Sequence, residues 1–107
     1  MGTFTVHDLE KRLSDRAAGS PDVSYTRKLL DRGVAHCAKK LGEEAVETIL
    51  AATTESRERM IAESADLIYH LLVLLKARDI SWTEVEAALA TRVSKSGLEE
   101  KAARKSD

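Results

Sequence analysis

Apolar positions along this chain recur three and four residues apart rather than every second residue, the spacing that lines one face of an α-helix. Leu9 and Leu13 repeat in this way after Thr5, a residue suited to capping, and predict a first helix running to about Ala17. Ala18 to Asp22, with Gly19, Ser20 and Pro21, is the clearest break. Ser24 then caps a short helix, Tyr25 to Leu30, ended by Gly33. A long helix follows from about Ala35 to Ala52, with Thr53 to Ser56 as its exit. In it Leu41, Ala45, Ile49 and Ala52 form one apolar stripe, Val46 and Leu50 a second, and Glu44 and Glu47 fall in the window between them.

The next long helix spans about Arg57 to Arg78, where Leu67, Ile68 and Leu71 to Leu75 leave hardly any solvent face. A helix apolar nearly all round must be buried on several sides. One chain of 107 residues can hardly cover it alone, so subunits are expected to share it. Ser81 with Glu84 has the form of a capping box and opens a last helix with Val85, Leu89 and Val93 on one side. The charged stretch from Ser94 to Asp107 reads as a loose tail, flexible over 95–107. The prediction is an all-α bundle of about four to five helices, one domain over residues 1–107, assembled as a homodimer with a shared core.

Composition changes this picture only by exclusion. With 17 basic and 18 acidic residues there is no global field to hold a nucleic acid polymer or an anionic membrane surface. The apolar run from Leu67 to Leu75 is far shorter than the roughly 20 residues that cross a bilayer. The single Cys37 cannot close an internal disulfide and no secretory signal opens the chain, so a cytoplasmic location is the expectation. His7, His36 and Cys37 have no zinc-ligand spacing, and no Gly-rich phosphate loop is present. Phosphates would therefore have to be held by a cation and by Lys or Arg.

The chemistry concentrates in two acidic segments. Glu44 and Glu47 are i, i+3 neighbours, Glu43 and Glu47 are i, i+4, and Glu63 and Asp66 are i, i+3, so each set shares a helix face. On antiparallel neighbouring helices the two faces could converge on one ion. Carboxylates without His or Cys suit a hard cation such as Mg²⁺. Glu pairs beside Lys39 and Lys40 are ordinarily a solvated face. Glu63, Asp66 and His70, however, occupy one narrow sector flanked by Leu67, Val73 and Leu74. Clustered acids there repel one another and raise their pKa values unless a cation, or an ion-pair network with Lys39, Lys40 or Arg59, compensates. His70 could touch substrate or only hydrogen-bond Asp66.

The pattern Glu43-Glu44-x-x-Glu47, followed sixteen residues later by Glu63-x-x-Asp66, resembles the metal-binding signature of the MazG-type all-α nucleotide pyrophosphohydrolases. Within that superfamily it is most similar to the phosphoribosyl-ATP pyrophosphohydrolase family of histidine biosynthesis. Ser24-Tyr25-Thr26, Lys28-Leu29-Leu30, the run from Ala38 to Glu47, the run from Ala65 to Leu75 and the segment from Ser96 to Lys101 carry the likeness, which covers most of the chain. The resemblance implies a helical dimer that converts phosphoribosyl-ATP to phosphoribosyl-AMP and pyrophosphate with Mg²⁺. It implies Glu44, Glu47, Glu63 and Asp66 as metal ligands. Glu43 would bind a second ion or act as the catalytic proton acceptor for the attacking water, and Lys28, Lys39, Lys40 and His70 are the candidates for substrate binding. A house-cleaning nucleoside triphosphate pyrophosphohydrolase would share the acids, and a non-enzymatic dimerisation bundle would carry them only as structure.

Overall fold

The computed structural model describes residues 2–20 and 24–94. These form α1 (Val6–Ala17), α2 (Tyr25–Asp31), α3 (Val34–Thr54), α4 (Arg57–Ala77) and α5 (Trp82–Val93), with no strand among the described residues. The expected all-α bundle is the observed architecture, while the expected loose tail over 95–107 lies outside the described residues.

Each helix begins where a side chain satisfies its open N–H groups. Thr5 and Asp8 form a reciprocal capping box on α1, with the Asp8 carboxylate 2.9 Å from the Thr5 N–H. Those bonds favour the ionised form and hold the Asp8 pKa below its usual value. Ser24 Oγ accepts from the Arg27 N–H at 3.1 Å and donates to the Arg16 carbonyl at 2.9 Å, so one hydroxyl starts α2 and ties it to the end of α1. Gly33, at φ +93°, makes the turn into α3. Ser56 caps α4, and Ser81 with Glu84 forms the predicted box on α5. The end of α4 is closed by Asp79 at φ +58°, where Asp79 N–H bonds the Lys76 carbonyl at 3.0 Å and Ile80 N–H that of Leu75 at 2.9 Å.

The two 21-residue helices α3 and α4 are each about 30 Å long. Only Glu55 and Ser56 separate them, so they fold back as an antiparallel hairpin that is the main contact of the molecule. Thr53 and Thr54, expected in the exit, belong to α3. At the open end of the hairpin α1 and α2 close over α4. Leu13, Leu29, Cys37, Leu72 and Val73 are buried together there, with Leu9, Tyr69, Leu75 and Trp82 packed around them.

The chain by itself buries Leu72 and Val73, at 3% and 1% exposure, because α1, α2 and α3 surround that half of α4. Apolar surface is left open at Ile68 within the Leu67 to Leu75 stretch, and on the loop half of the hairpin at Val46, Ile49, Leu50 and Ile61. Of the stripe Leu41, Ala45, Ile49, Ala52, the residues Ile49 and Ala52 are exposed. The α3 seam instead runs Cys37, Leu41, Glu44, Thr48, Ala51, in alternating steps of four and three. On α5, Leu89 and Val93 are exposed as well, and the helix is held to α1 by Glu10 accepting the Trp82 N–H and by His7 paired with Glu86.

Candidate active site

Because Glu44 sits on the seam, its carboxylate points across to α4 midway along the hairpin. Carboxylate oxygens of Glu44, Glu63 and Asp66 lie within 4.8 Å of one another. Thr48 pins the two helices at this level: its hydroxyl is 2.8 Å from the Glu44 carbonyl and 3.2 Å from the Glu63 carbonyl. Glu63 is buried and paired with Arg59, one turn earlier on α4, which also reaches Glu55 at 3.2 Å. Asp66 is exposed.

Glu44, unlike Glu63, has no Arg or Lys paired with it. Its Oε2 is buried with no hydrogen-bond partner, and His70 Nε2 stands 3.9 Å from Oε1, too far for a hydrogen bond. Burial raises the Glu44 pKa, and the charges of Glu47, Asp66 and Glu63 raise it further. The His70 pKa is lowered, first by burial and then by the Lys40 ammonium, against the opposing pull of Asp66 and Glu43. The imidazole facing Glu44 is therefore neutral at neutral pH and does not balance the acids. A buried, unpartnered carboxylate oxygen among three acids is costly in a purely structural arrangement. The same donor set, all hard oxygen, fits a divalent cation of the Mg²⁺ type, whose opposite ligands stand about 4 Å apart.

The remaining sequence candidates divide. Glu47 is exposed at the margin, close enough for its charge to act on Glu44 but outside the tight group of three. Glu43 turns away to pair with Lys40 at 3.2 Å. Lys40 nevertheless lies beside the site, since its charge acts on His70 and it feels Glu44 and Tyr25. Lys28 and Lys39 are exposed, and neither forms an ion pair with the acids. Sequence reasoning gave no role to Thr48 or Tyr25. The i, i+4 spacing of Thr48 from Glu44 was the available signal for the first. Nothing local pointed to the second, whose ring meets Tyr69 and His70 only through the packing of α2 on α4. Arg59, considered only as an alternative to a metal, proves to be the cation on Glu63.

Comparison with known proteins identifies the family. The family profile for Phosphoribosyl-ATP pyrophosphohydrolase matches residues 6–93, a span that holds every helix described above. Phosphoribosyl-ATP pyrophosphatase 1 of Bradyrhizobium diazoefficiens is 63% identical over 105 residues, covering 98% of this chain and 99% of the relative. Phosphoribosyl-ATP pyrophosphatase of Nitrobacter winogradskyi is 61% identical over 107 residues, covering 100% and 92%. Phosphoribosyl-ATP pyrophosphatase 1 of Rhodopseudomonas palustris is 57% identical over the full length of both chains. With the acidic seam in place and a match running through all five helices, this chain belongs to the phosphoribosyl-ATP pyrophosphohydrolase family.

Proposed function

We propose that this chain hydrolyses phosphoribosyl-ATP between the α and β phosphorus atoms, releasing phosphoribosyl-AMP and pyrophosphate, as a step of histidine biosynthesis in the cytoplasm. The reading is supported by family membership and carried by one structural observation: the partnerless buried oxygen of Glu44 beside Glu63 and Asp66. Glu44, Glu63 and Asp66 hold Mg²⁺, with Glu47 completing the acidic set from the margin. When bound, that ion supplies charge neutralisation for the phosphates and a more acidic water. Arg59 pairs with Glu63 and holds it at the seam, and Thr48 fixes the register that brings Glu44 opposite it. Glu43 is the carboxylate not committed to the cluster; tethered by Lys40, it takes the proton of the attacking water. Lys40 and His70 border the substrate, and Lys28 and Lys39 contribute positive charge at longer range.

The active form is a homodimer. The reading is supported by Val46, Ile49 and Leu50 on α3 and Ile61 on α4, apolar residues that all stand exposed on the half of the hairpin that α1 and α2 leave bare. The activity is tested by parallel assay of phosphoribosyl-ATP, ATP and deoxynucleoside triphosphates with Mg²⁺, products separated by chromatography. A kcat/KM for phosphoribosyl-ATP at least about a hundredfold above ATP is expected, because only the former offers a remote phosphate for transition-state binding. Preference for a free deoxynucleoside triphosphate would replace this reading with nucleotide-pool cleansing.

A further inference from the structure

The chain has only two Tyr, one Phe and one Trp, and α2 and α4 bring both tyrosines to the border of the acidic seam. Tyr69 is held by a 2.8 Å hydrogen bond between its hydroxyl and Thr26 Oγ1. Tyr25, the neighbour of that threonine, lies nearly parallel to Tyr69, with centroids 6.4 Å apart and planes at 15°. His70 stands edge-on to both rings and presents Nε2 to Glu44. One imidazole therefore separates the acids from Tyr25.

Tyr25 is nonetheless 52% exposed. A large aromatic ring that is fixed by two ring contacts, open to solvent and placed beside a polyanion site needs a reason beyond packing. Its fixed position means that little side-chain entropy remains to be lost when a flat ligand stacks on it. The Lys40 ammonium beside it balances anionic charge on such a ligand.

Building on the proposed activity, we propose that Tyr25 is the stacking platform for the substrate's purine and so sets the preference for a base-bearing substrate. The triphosphate then extends past His70 toward Glu44, Glu63 and Asp66. Tyr69 acts as a positioning residue that holds the platform, and Thr26 fixes Tyr69.

The test is calorimetric titration of phosphoribosyl-AMP and of inorganic pyrophosphate, both with Mg²⁺, into the wild-type protein, Tyr25→Phe and Tyr25→Ala, alongside steady-state assays with phosphoribosyl-ATP. Stacking on a single ring predicts a 10- to 100-fold weaker phosphoribosyl-AMP affinity for Tyr25→Ala and a matching rise in KM, with kcat within about threefold. Pyrophosphate affinity should stay within twofold, and Tyr25→Phe should behave as wild type. Equal loss for pyrophosphate, a fall in kcat without a rise in KM, or unchanged phosphoribosyl-AMP binding by Tyr25→Ala in an active enzyme would overturn the platform alone. A wild-type protein that neither binds phosphoribosyl-AMP nor cleaves phosphoribosyl-ATP would overturn the activity and the platform together.

Discussion

Replacing Glu44 by Gln keeps the shape of the side chain and removes one charge from the seam. Carboxylate oxygens of Glu63 and Asp66 lie within 4.8 Å of that of Glu44, and a fully ionised pair at this separation costs about 3–4 kcal/mol at an effective dielectric of about 20. Arg59 offsets the Glu63 charge, and the metal-free protein relieves more by holding a proton on Glu44. About 1–2 kcal/mol is left for Gln to recover, and its amide can donate to the neighbouring carboxylates where Oε2 has no partner. For a domain of this size each kcal/mol raises Tm by about 4–8 °C. The pH dependence has a definite sign. The Glu44 pKa is raised above its ordinary 4.5 in the folded state, so its contribution favours folding below that value and is lost as pH rises through the raised value. Metal-free wild type should thus lose stability relative to Glu44→Gln as pH rises above the usual carboxylate range. Mg²⁺ should reverse the order, adding about 2.7 kcal/mol to wild type at a hundred times Kd and little to the variant. Thermal melts in chelator and in Mg²⁺ at pH 5 and pH 8, with product assays at pH 8, read all of this. A variant that melts lower than wild type in chelator, or gains as much from Mg²⁺, would refute the assignment of Glu44 as an uncompensated metal ligand.

Glu63→Gln should also abolish turnover but, unlike Glu44→Gln, should lower metal-free stability by about 1–2 kcal/mol, because Glu63 is buried and paired with Arg59; chemical denaturation of the two variants side by side checks the contrast. Asp79→Gly should raise stability by about 0.5–1 kcal/mol with activity unchanged, since φ +58° suits Gly better than Asp and the site is distant in sequence from the acids; a lower Tm would show that the Asp79 side chain matters more than its backbone. Ile49→Asp should leave a folded monomer by sedimentation, whereas Leu72→Asp should unfold the chain by burying an unpaired charge at several kcal/mol, and a dimeric Ile49→Asp protein would remove the loop half of the hairpin from the interface.

Helix positions were legible in the sequence because the interactions that start and stop them are local. Thr5 with Asp8, Ser24 with Arg27 and Ser81 with Glu84 each join residues three apart, and Gly33 supplies its own backbone freedom. The same locality made the acids readable in pairs, since i, i+3 spacing puts them on one face wherever the helix goes. Which face turns inward was not local. Two of the five seam positions on α3 are the polar Glu44 and Thr48, so hydrophobicity alone does not mark the inward face, and Ile49 and Ala52 of the apolar stripe are exposed in the chain. Only the packing of α3 on α4 set the register that gathers Glu44, rather than Glu47, with Glu63 and Asp66. The meeting of Thr26 with Tyr69, 43 residues apart, likewise depends on how α2 rests on α4. The sequence by itself determined the elements and their chemical repertoire through contacts within a turn, whereas pairing across helices depends on the summed shape of whole faces, which exists only once they are packed.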